Sequence, residues 1–412
     1  MTLQYVTAGE SHGPQLTAIV TGLPAGLSLT EEDINRDLAR RQVGYGRGER
    51  MAIEHDRASF RSGVRFGQTL GSPLTIVIEN RDWPSWQKVM SVAALDDDSE
   101  SKERAITRPR PGHADLAGVL KWHQGDARNV LERASARETA ARVAVGAVAR
   151  RFLSEFGIEV FSHVVSVGSV TVDCSGLTWA AIREAAESSP FRVGNRACEG
   201  EMIECVDRAD AEGDTLGGIF EVVATGVPVG LGSCMESHAR LDGQLAGAVM
   251  GIQAIKGVEI GLGFEAARRP GSRVHDPIYF DREATEEHRQ DGHATGRHLE
   301  GHGPTGGFYR TSNNAGGLEG GMTNGEPIVL RAAMKPIATL RQPLPSVDFK
   351  SKQAYEAAHE RSDVCAVPAA AVVGEAAVAF VLAQAFLQKF GGDHLDETRM
   401  AYKAYLDYLN AR

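Results

Sequence analysis

Arginine and glycine alternate in the segment RRQVGYGRGER, which sets Arg40, Arg41, Arg47 and Arg50 among Gly44, Gly46 and Gly48. A guanidinium presents a rigid fork of donors that matches phosphate and carboxylate oxygens, and glycine lets backbone come close to a ligand. A solvated charged loop is the blander reading of the same residues. A second basic group flanks Ser135, where Arg133 and Arg137 stand at the start of a helical pattern. Free backbone N–H groups at such a start favour an anion. Ordinary capping by Ser135 and Glu138 explains that segment equally well. His12 in GESHG and His113 in RPGHAD sit in loops with small neighbours. An imidazole there can give or take a proton near neutrality, although a lone loop histidine is more often inert.

Two other patterns carry less chemistry. GLGFEA, from Gly261 to Ala266, matches a GxGxxA dinucleotide fingerprint, but AARRPGS does not continue it as a helix and no βαβ unit surrounds it. His293, His298 and His302 are spaced like a metal cluster, yet they lie in a glycine-rich run without an HExxH pattern, and no metal is expected. The residues alone support an enzyme that binds a phosphorylated anion and works with loop histidines.

The elements that must hold these groups are partly visible. Strands are expected at residues 3–7, 16–20 and 74–79, with the GESHG loop between the first two. Thr30 and Asp33 cap a helix that carries Ile34 and Leu38 on one face and ends in the first basic loop. The prolines of TRPRPGHADLAG rule out a regular helix there, so a fixed loop presents Arg108, Arg110 and His113. Ser135 and Glu138 form an SxxE capping box for a long Ala-rich helix that Gly157 stops. IEVFSHVVSVGSVTV reads as strands, and a second helix spans about residues 241–256 before GVEIGLGF. Each of these two helices ends in glycine and a short β-like run, a faint sign of a repeated helix–strand unit. Residues 94–104 form a charged surface loop, and residues 280–325 a long, glycine-rich loop of the kind that serves an active site. The apolar stretch at 364–387 contains Gly374, Glu375 and Gln384 and is expected to be a buried core helix, not a membrane span.

With 412 residues, 42% of them hydrophobic and 24% charged, the chain can bury a sizeable core. A formal net charge of -10 argues against nucleic acid as a partner. The five cysteines, Cys174, Cys198, Cys205, Cys234 and Cys365, are scattered and form no CxxC, which suits a reducing cytoplasm. The N-terminus MTLQYVTAGESHG lacks the pattern of a signal peptide. No linker divides the chain, so a single domain over 1–412 is expected.

The segments GESHG, RRQVGYGRG, RPRPGHAD, ERASARET, MKPIATL and RSDVCAVPAA, in this order from residue 9 to residue 370, closely resemble the chorismate synthase family. That resemblance implies an α+β fold, a β–α–β sandwich with helices packed between antiparallel sheets. It implies 1,4-anti elimination of phosphate from 5-enolpyruvylshikimate-3-phosphate, giving chorismate, with reduced FMN but no net redox change. By the same resemblance, Arg41, Arg47, Arg110, Arg137 and Arg361 contact substrate, and a nicotinamide-phosphate contact (NADP) falls on Arg41 and Arg47. His12 protonates the departing phosphate, His113 sits by the flavin, and Asp363 works with the flavin in removing the C6 hydrogen. FMN contacts fall on Arg133, Ala134, Ser135, Gln253, Ala254, Gly320, Lys335, Pro336, Ile337, Ala338, Thr339 and Arg361. Many members carry Ser where this chain has Ala134 and His where it has Ser362. A homotetramer in the cytoplasm is implied, fed by an external flavin reductase, with NADPH as an indirect electron source. Two other functions compete. A flavin oxidoreductase would consume reduced nicotinamide stoichiometrically, and a non-catalytic binding protein would keep its ligand without His12 and His113.

Overall fold

In this computed structural model, residues 2–48, 55–280, 301–358 and 363–412 are described. Strands β1 (Gln4–Ala8), β2 (Gln15–Thr21), β3 (Ala58–Ser62) and β4 (Leu74–Glu79) form an antiparallel sheet in the order β1-β2-β4-β3. In β2, Leu16, Ala18 and Val20 are buried while Gln15 and Ile19 face out, the period-two pattern of a sheet with one face on a core. A second antiparallel sheet, ordered β8-β9-β7-β5-β6, comprises β5 (Glu159–Val167), β6 (Val170–Thr171), β7 (Gly218–Thr225), β8 (Ile255–Ile260) and β9 (Ile328–Met334).

The helices that matter for the site are α1 (Glu31–Gln42), α2 (Asp115–Trp122), α3 (Arg128–Ala134), α4 (Thr139–Ser154), α5 (Leu241–Met250), α6 (Val367–Phe390) and α7 (Leu395–Asn410). Helix α4 packs on β2 and β4 of the first sheet and on α6, and α6 rests on β5 and β7 of the second. The result is the expected β–α–β sandwich, with one continuous apolar core between the sheets. A Cβ on Gly146 of α4 would lie 2.2 Å from Cβ of Ala376 on α6, so glycine sets how closely these helices cross.

Helix α6 is long and apolar enough to cross a membrane, but 89% of its most apolar window is buried inside the fold, which makes it the core helix the sequence indicates. Its buried Glu375 receives Arg40 at 2.7 Å, and Arg150 and Arg192 at 3.2 Å each. Arg40 is thereby a structural cation, not a ligand of the basic loop.

Several expectations need correction. Thr30 and Asp33 form their capping box, but Ser135 and Glu138 do not. Ser135 instead accepts from Arg137 N and caps one 3-10 turn, Ala136–Glu138, while the Glu138 carboxylate turns away to Thr7, Arg142 and Gln253. Helix α5 ends at Met250, short of the expected 256, because the chain must turn through Ala254, a non-glycine at φ 67, to enter β8. The charged run at 94–104 contains a short exposed helix, Ser99–Glu103. Of residues 280–325, the part from 301 onward carries strand Phe308–Arg310 and the hairpin Leu318–Glu319 with Met322–Thr323; residues 281–300 lie outside the described residues. The two helix–strand units both deliver their strands, β5 and β8, to the second sheet.

Candidate active site

The loop between β1 and β2 brings His12 against α3. His12 Nδ1 lies 2.9 Å from both carboxylate oxygens of Glu132, and the His12 backbone N–H donates to the same carboxylate at 2.8 Å. Trp86 stacks on the imidazole with ring centroids 3.8 Å apart. Asn80 pins the loop by donating to Gly13 O at 2.8 Å, and Ser11 meets Ser135 hydroxyl to hydroxyl at 3.1 Å. Arg133 donates to Thr7 O and Gly9 O, so it braces the same loop from α3.

Beside this lies a buried group of arginines. Asp56 accepts from Arg41 Nη2 at 2.8 Å and from Arg137 Nη1 at 3.0 Å, and all three side chains are buried. Burial alone would raise the Asp56 carboxyl, but the two guanidinium groups outweigh it and hold it below the usual range. Arg41 Nε is buried without a hydrogen-bond partner among the described residues. Two buried cations share the Asp56 carboxylate here, a concentration of fixed positive charge that suits an anion. Arg47 lies close enough to Arg41 to feel its charge, and it forms a separate ion pair with Asp363 at 3.1 Å.

The Pro-locked loop supplies a third cluster. Asp115, at the start of α2, is fully buried and receives Arg110 Nε at 2.9 Å and His113 Nδ1 at 2.5 Å. Burial opposes its ionisation, but these contacts win and hold the Asp115 carboxyl well below the ordinary range. Arg110 also donates to Thr339 Oγ1 at 3.0 Å, which ties this cluster to the Lys335, Pro336, Ile337, Ala338, Thr339 segment after β9. That segment returns to the centre through Thr215, which donates to Ile337 O, and through Leu216 N, which donates to Val364 O. The Lys335 N–H donates to Ala254 O at 2.9 Å, and Gln253 reaches Glu138 at 3.3 Å. Gly320 stands at the turn of the 318–323 hairpin at φ 59, where an added Cβ would meet Cys234 Cβ at 3.9 Å.

Thus His12, Arg41, Arg47, Arg110, His113, Arg133, Ser135, Arg137 and Asp363 fall into clusters linked by hydrogen bonds. Ala134 closes α3 beside Ser135. Arg50, Arg361, Ser362, His293 and His298 lie outside the described residues. His302 is turned to Glu326 at 3.1 Å, and no group of three or more metal-ligating side chains occurs among the described residues. GLGFEA leads into a 3-10 turn, Gly263–Arg268, after the antiparallel strand β8. The orienting residues Glu132, Asp56, Asp115 and Trp86 were not singled out in the sequence. Glu132 and Asp115 do lie inside ERASARET and RPGHAD, and an acid beside a motif histidine or arginine was the available signal. A cavity of about 820 Å³ lined by Tyr5, Arg142, Gln244 and Phe380 holds none of the motif residues named above.

Buried carboxylates that orient arginines and histidines, set in loops of a β–α–β sandwich, define an enzyme for a small polyanion. The chorismate synthase family profile matches residues 3–387. A chorismate synthase of Geobacter sulfurreducens is 56% identical over 409 residues, covering 99% of this chain and 100% of that protein. One of Desulforudis audaxviator is 53% identical and covers 99% and 98%. A crystal structure of chorismate synthase superposes with a TM-score of 0.76 at 43% identity, over 100% of this chain and 99% of that one. The chain belongs to the chorismate synthase family. Its activity is that of a carbon–oxygen lyase acting on phosphate, and the family implies a reduced flavin cofactor.

Proposed function

We propose that the phosphate elimination from 5-enolpyruvylshikimate-3-phosphate is divided among the three clusters. Arg41, Arg47, Arg110, Arg137 and Arg361 bind the anionic groups of the substrate. His12 donates a proton to the departing phosphate, and Asp363 takes part in removing the C6 hydrogen. His113 stands by the flavin, oriented by Asp115. The observation that carries this reading is the carboxylate of Asp56 between Arg41 and Arg137, which fixes two buried guanidinium groups side by side. A leaving phosphate needs such fixed charge, and a positioned acid adds about 10²–10⁴-fold.

The flavin is FMN in this proposal, held by Arg133, Ala134, Ser135, Gln253, Ala254, Gly320, Arg361 and the segment from Lys335 to Thr339. The residues suit a planar polar ring: Gln253 Oε1 is buried without a partner among the described residues, and Ala254 holds a left-handed turn at φ 67. When bound, reduced flavin supplies an electron-rich centre that side chains lack. An external flavin reductase, with NADPH as indirect donor and a contact at Arg41 and Arg47, completes the supply. The five cysteines are free, in keeping with a cytoplasmic setting. Exposed apolar side chains at Tyr5 and Val6 on β1, an edge strand, and at Ile278, Phe280 and Phe308 support assembly into a homotetramer.

The test is anaerobic. Protein, substrate and FMN are mixed with a reductant, and phosphate release and chorismate absorbance are followed together. Both should appear, only with reduced flavin and without stoichiometric nicotinamide consumption. Flavin and substrate binding without either product would end the catalytic reading.

A further inference from the structure

Glu132 is fully buried, yet its carboxylate is surrounded by donors from two elements. His12 supplies its ring Nδ1 and its backbone N–H, and Arg128, one turn earlier on α3, supplies Nη1 at 3.0 Å. On the other side of the imidazole, Trp86 is stacked, and Arg104 and Arg128 each lie 5.1 Å over the Trp86 ring. The imidazole is therefore held on both sides. A carboxylate has only acceptors, so Nδ1 carries the proton and Nε2 is the nitrogen left for a ligand. Burial alone would raise the Glu132 carboxyl, but the contacts with His12 and Arg128 pull it below the usual range, so it is ionised at neutral pH.

We propose that Glu132 is the positioning residue of the acid step, fixing the His12 ring, aiming Nε2 at the departing phosphate and stabilising the imidazolium that must donate. This rests on His12 being the acid. In that step the C–O bond breaks with its electron pair leaving on phosphate. The Nε2 proton passes to a phosphate oxygen, and the ring is left neutral with Nδ1–H still on Glu132. Arg128 has a second part: its Nη1 donates to Glu132 Oε1 at 3.0 Å, and its guanidinium lies 5.1 Å over the Trp86 ring.

A purely structural Glu132 side chain would only tether the loop through the His12 backbone N–H; the Ser11 N–H donates to the Glu132 backbone carbonyl at 3.0 Å and survives any substitution. Glu132→Gln separates the two roles, since the amide keeps an acceptor for the loop and loses the charge. Its kcat should fall about 10²-fold, the low end of what a positioned acid supplies, with KM and melting temperature nearly unchanged. The alkaline limb of its kcat–pH profile should move to lower pH, because the cations Arg104, Arg128 and Arg133 and the carboxylates of Glu10 and Asp82 around the loop remain, while the carboxylate in contact with Nδ1 loses its charge. Glu132→Asp should return that limb to the wild-type position and recover part of kcat. His12→Ala is measured alongside. If His12→Ala slows turnover but Glu132→Gln matches wild type in kcat and pH limb, this inference falls and the acid reading stands. If His12→Ala turns over normally, the acid reading falls first. Loss of activity in both Glu132 variants in proportion to lost melting temperature would make Glu132 a tether and overturn the proposal.

Discussion

Asp363 is bound to Arg47: Oδ2 lies 3.1 Å from Nη1, and Oδ1 accepts the Gly48 N–H at 2.7 Å. The backbone continues the junction, with Val364 N donating to Gly46 O. The first basic loop and the start of α6 thus form one unit, and a substrate anion must share Arg47 with Asp363. Asp363→Asn keeps the acceptor for Gly48 and removes the charge. Substrate binding, read by calorimetry, should persist, while turnover and loss of label from C6 should fall by about 10²-fold or more. Normal turnover would remove Asp363 from the mechanism.

Asp56→Ala leaves Arg41 and Arg137 buried without their shared partner. Breaking such a pair costs about 3–5 kcal/mol, to be read from urea unfolding at pH 7. The sign of its pH dependence follows from a carboxyl held below its unfolded value near 3.8. Wild type has this stability in full above that value and loses it as pH falls from there through the lower value of the folded state. Asp56→Ala should therefore show a shallower acid loss; equal slopes would count against the charge argument.

His163 on β5 faces Glu221 on β7 at 3.0 Å, both buried. Burial would lower the imidazole, but contacts with Cys174 and Glu221 raise it from 6.5 to about 9. A raised histidine contributes stability fully below its unfolded value near 6.5 and loses it as pH rises through about 9. Thermal melts from pH 6 to pH 9.5 should show this decline in wild type and a flatter profile in His163→Gln. Parallel profiles would exclude His163 as its source.

Gly146→Ala places a methyl 2.2 Å from Ala376 Cβ and 2.3 Å from its Cα. The helices must separate, and the expected loss is about 1–3 kcal/mol, larger than the helix propensity alanine gains. Adding Ala376→Gly should recover part of it in a double-mutant cycle. A stabilised single variant would show that α4 and α6 can slip without cost.

The strands of the first sheet, helix α1 with its capping box, and the core helix α6 were legible because period and caps are local signals. Helix α1 also shows what a closer reading could have found. Ile34, Leu38 and Arg41 share one helical face, and all three are buried, whereas Arg40 points to Glu187 and Glu375. Helices α2 and α3 were not foreseen, since each is short and charged, and α2 begins at Asp115 inside TRPRPGHADLAG, where the prolines were expected to keep the whole segment a loop: they end at Pro111, which leaves DLAG free to be helical. The SxxE pattern misled because Glu138 had better partners: Arg142 one turn later on α4, and Thr7 and Gln253, both distant in sequence.

By itself, the sequence determined which residues are chemical: the loop histidines, the arginine–glycine segment and the order of motifs that marks the family. Only the tertiary structure decided which carboxylate holds which cation. Asp56 for Arg41 and Arg137, Glu132 for His12, and Asp363 for Arg47 are pairings between side chains brought together by packing, whereas Asp115 meets Arg110 and His113 within one short segment. The physical reason is that a buried charge must find an opposite one wherever the fold places it. Spacing along the chain carries no record of that choice once the partners come from different elements.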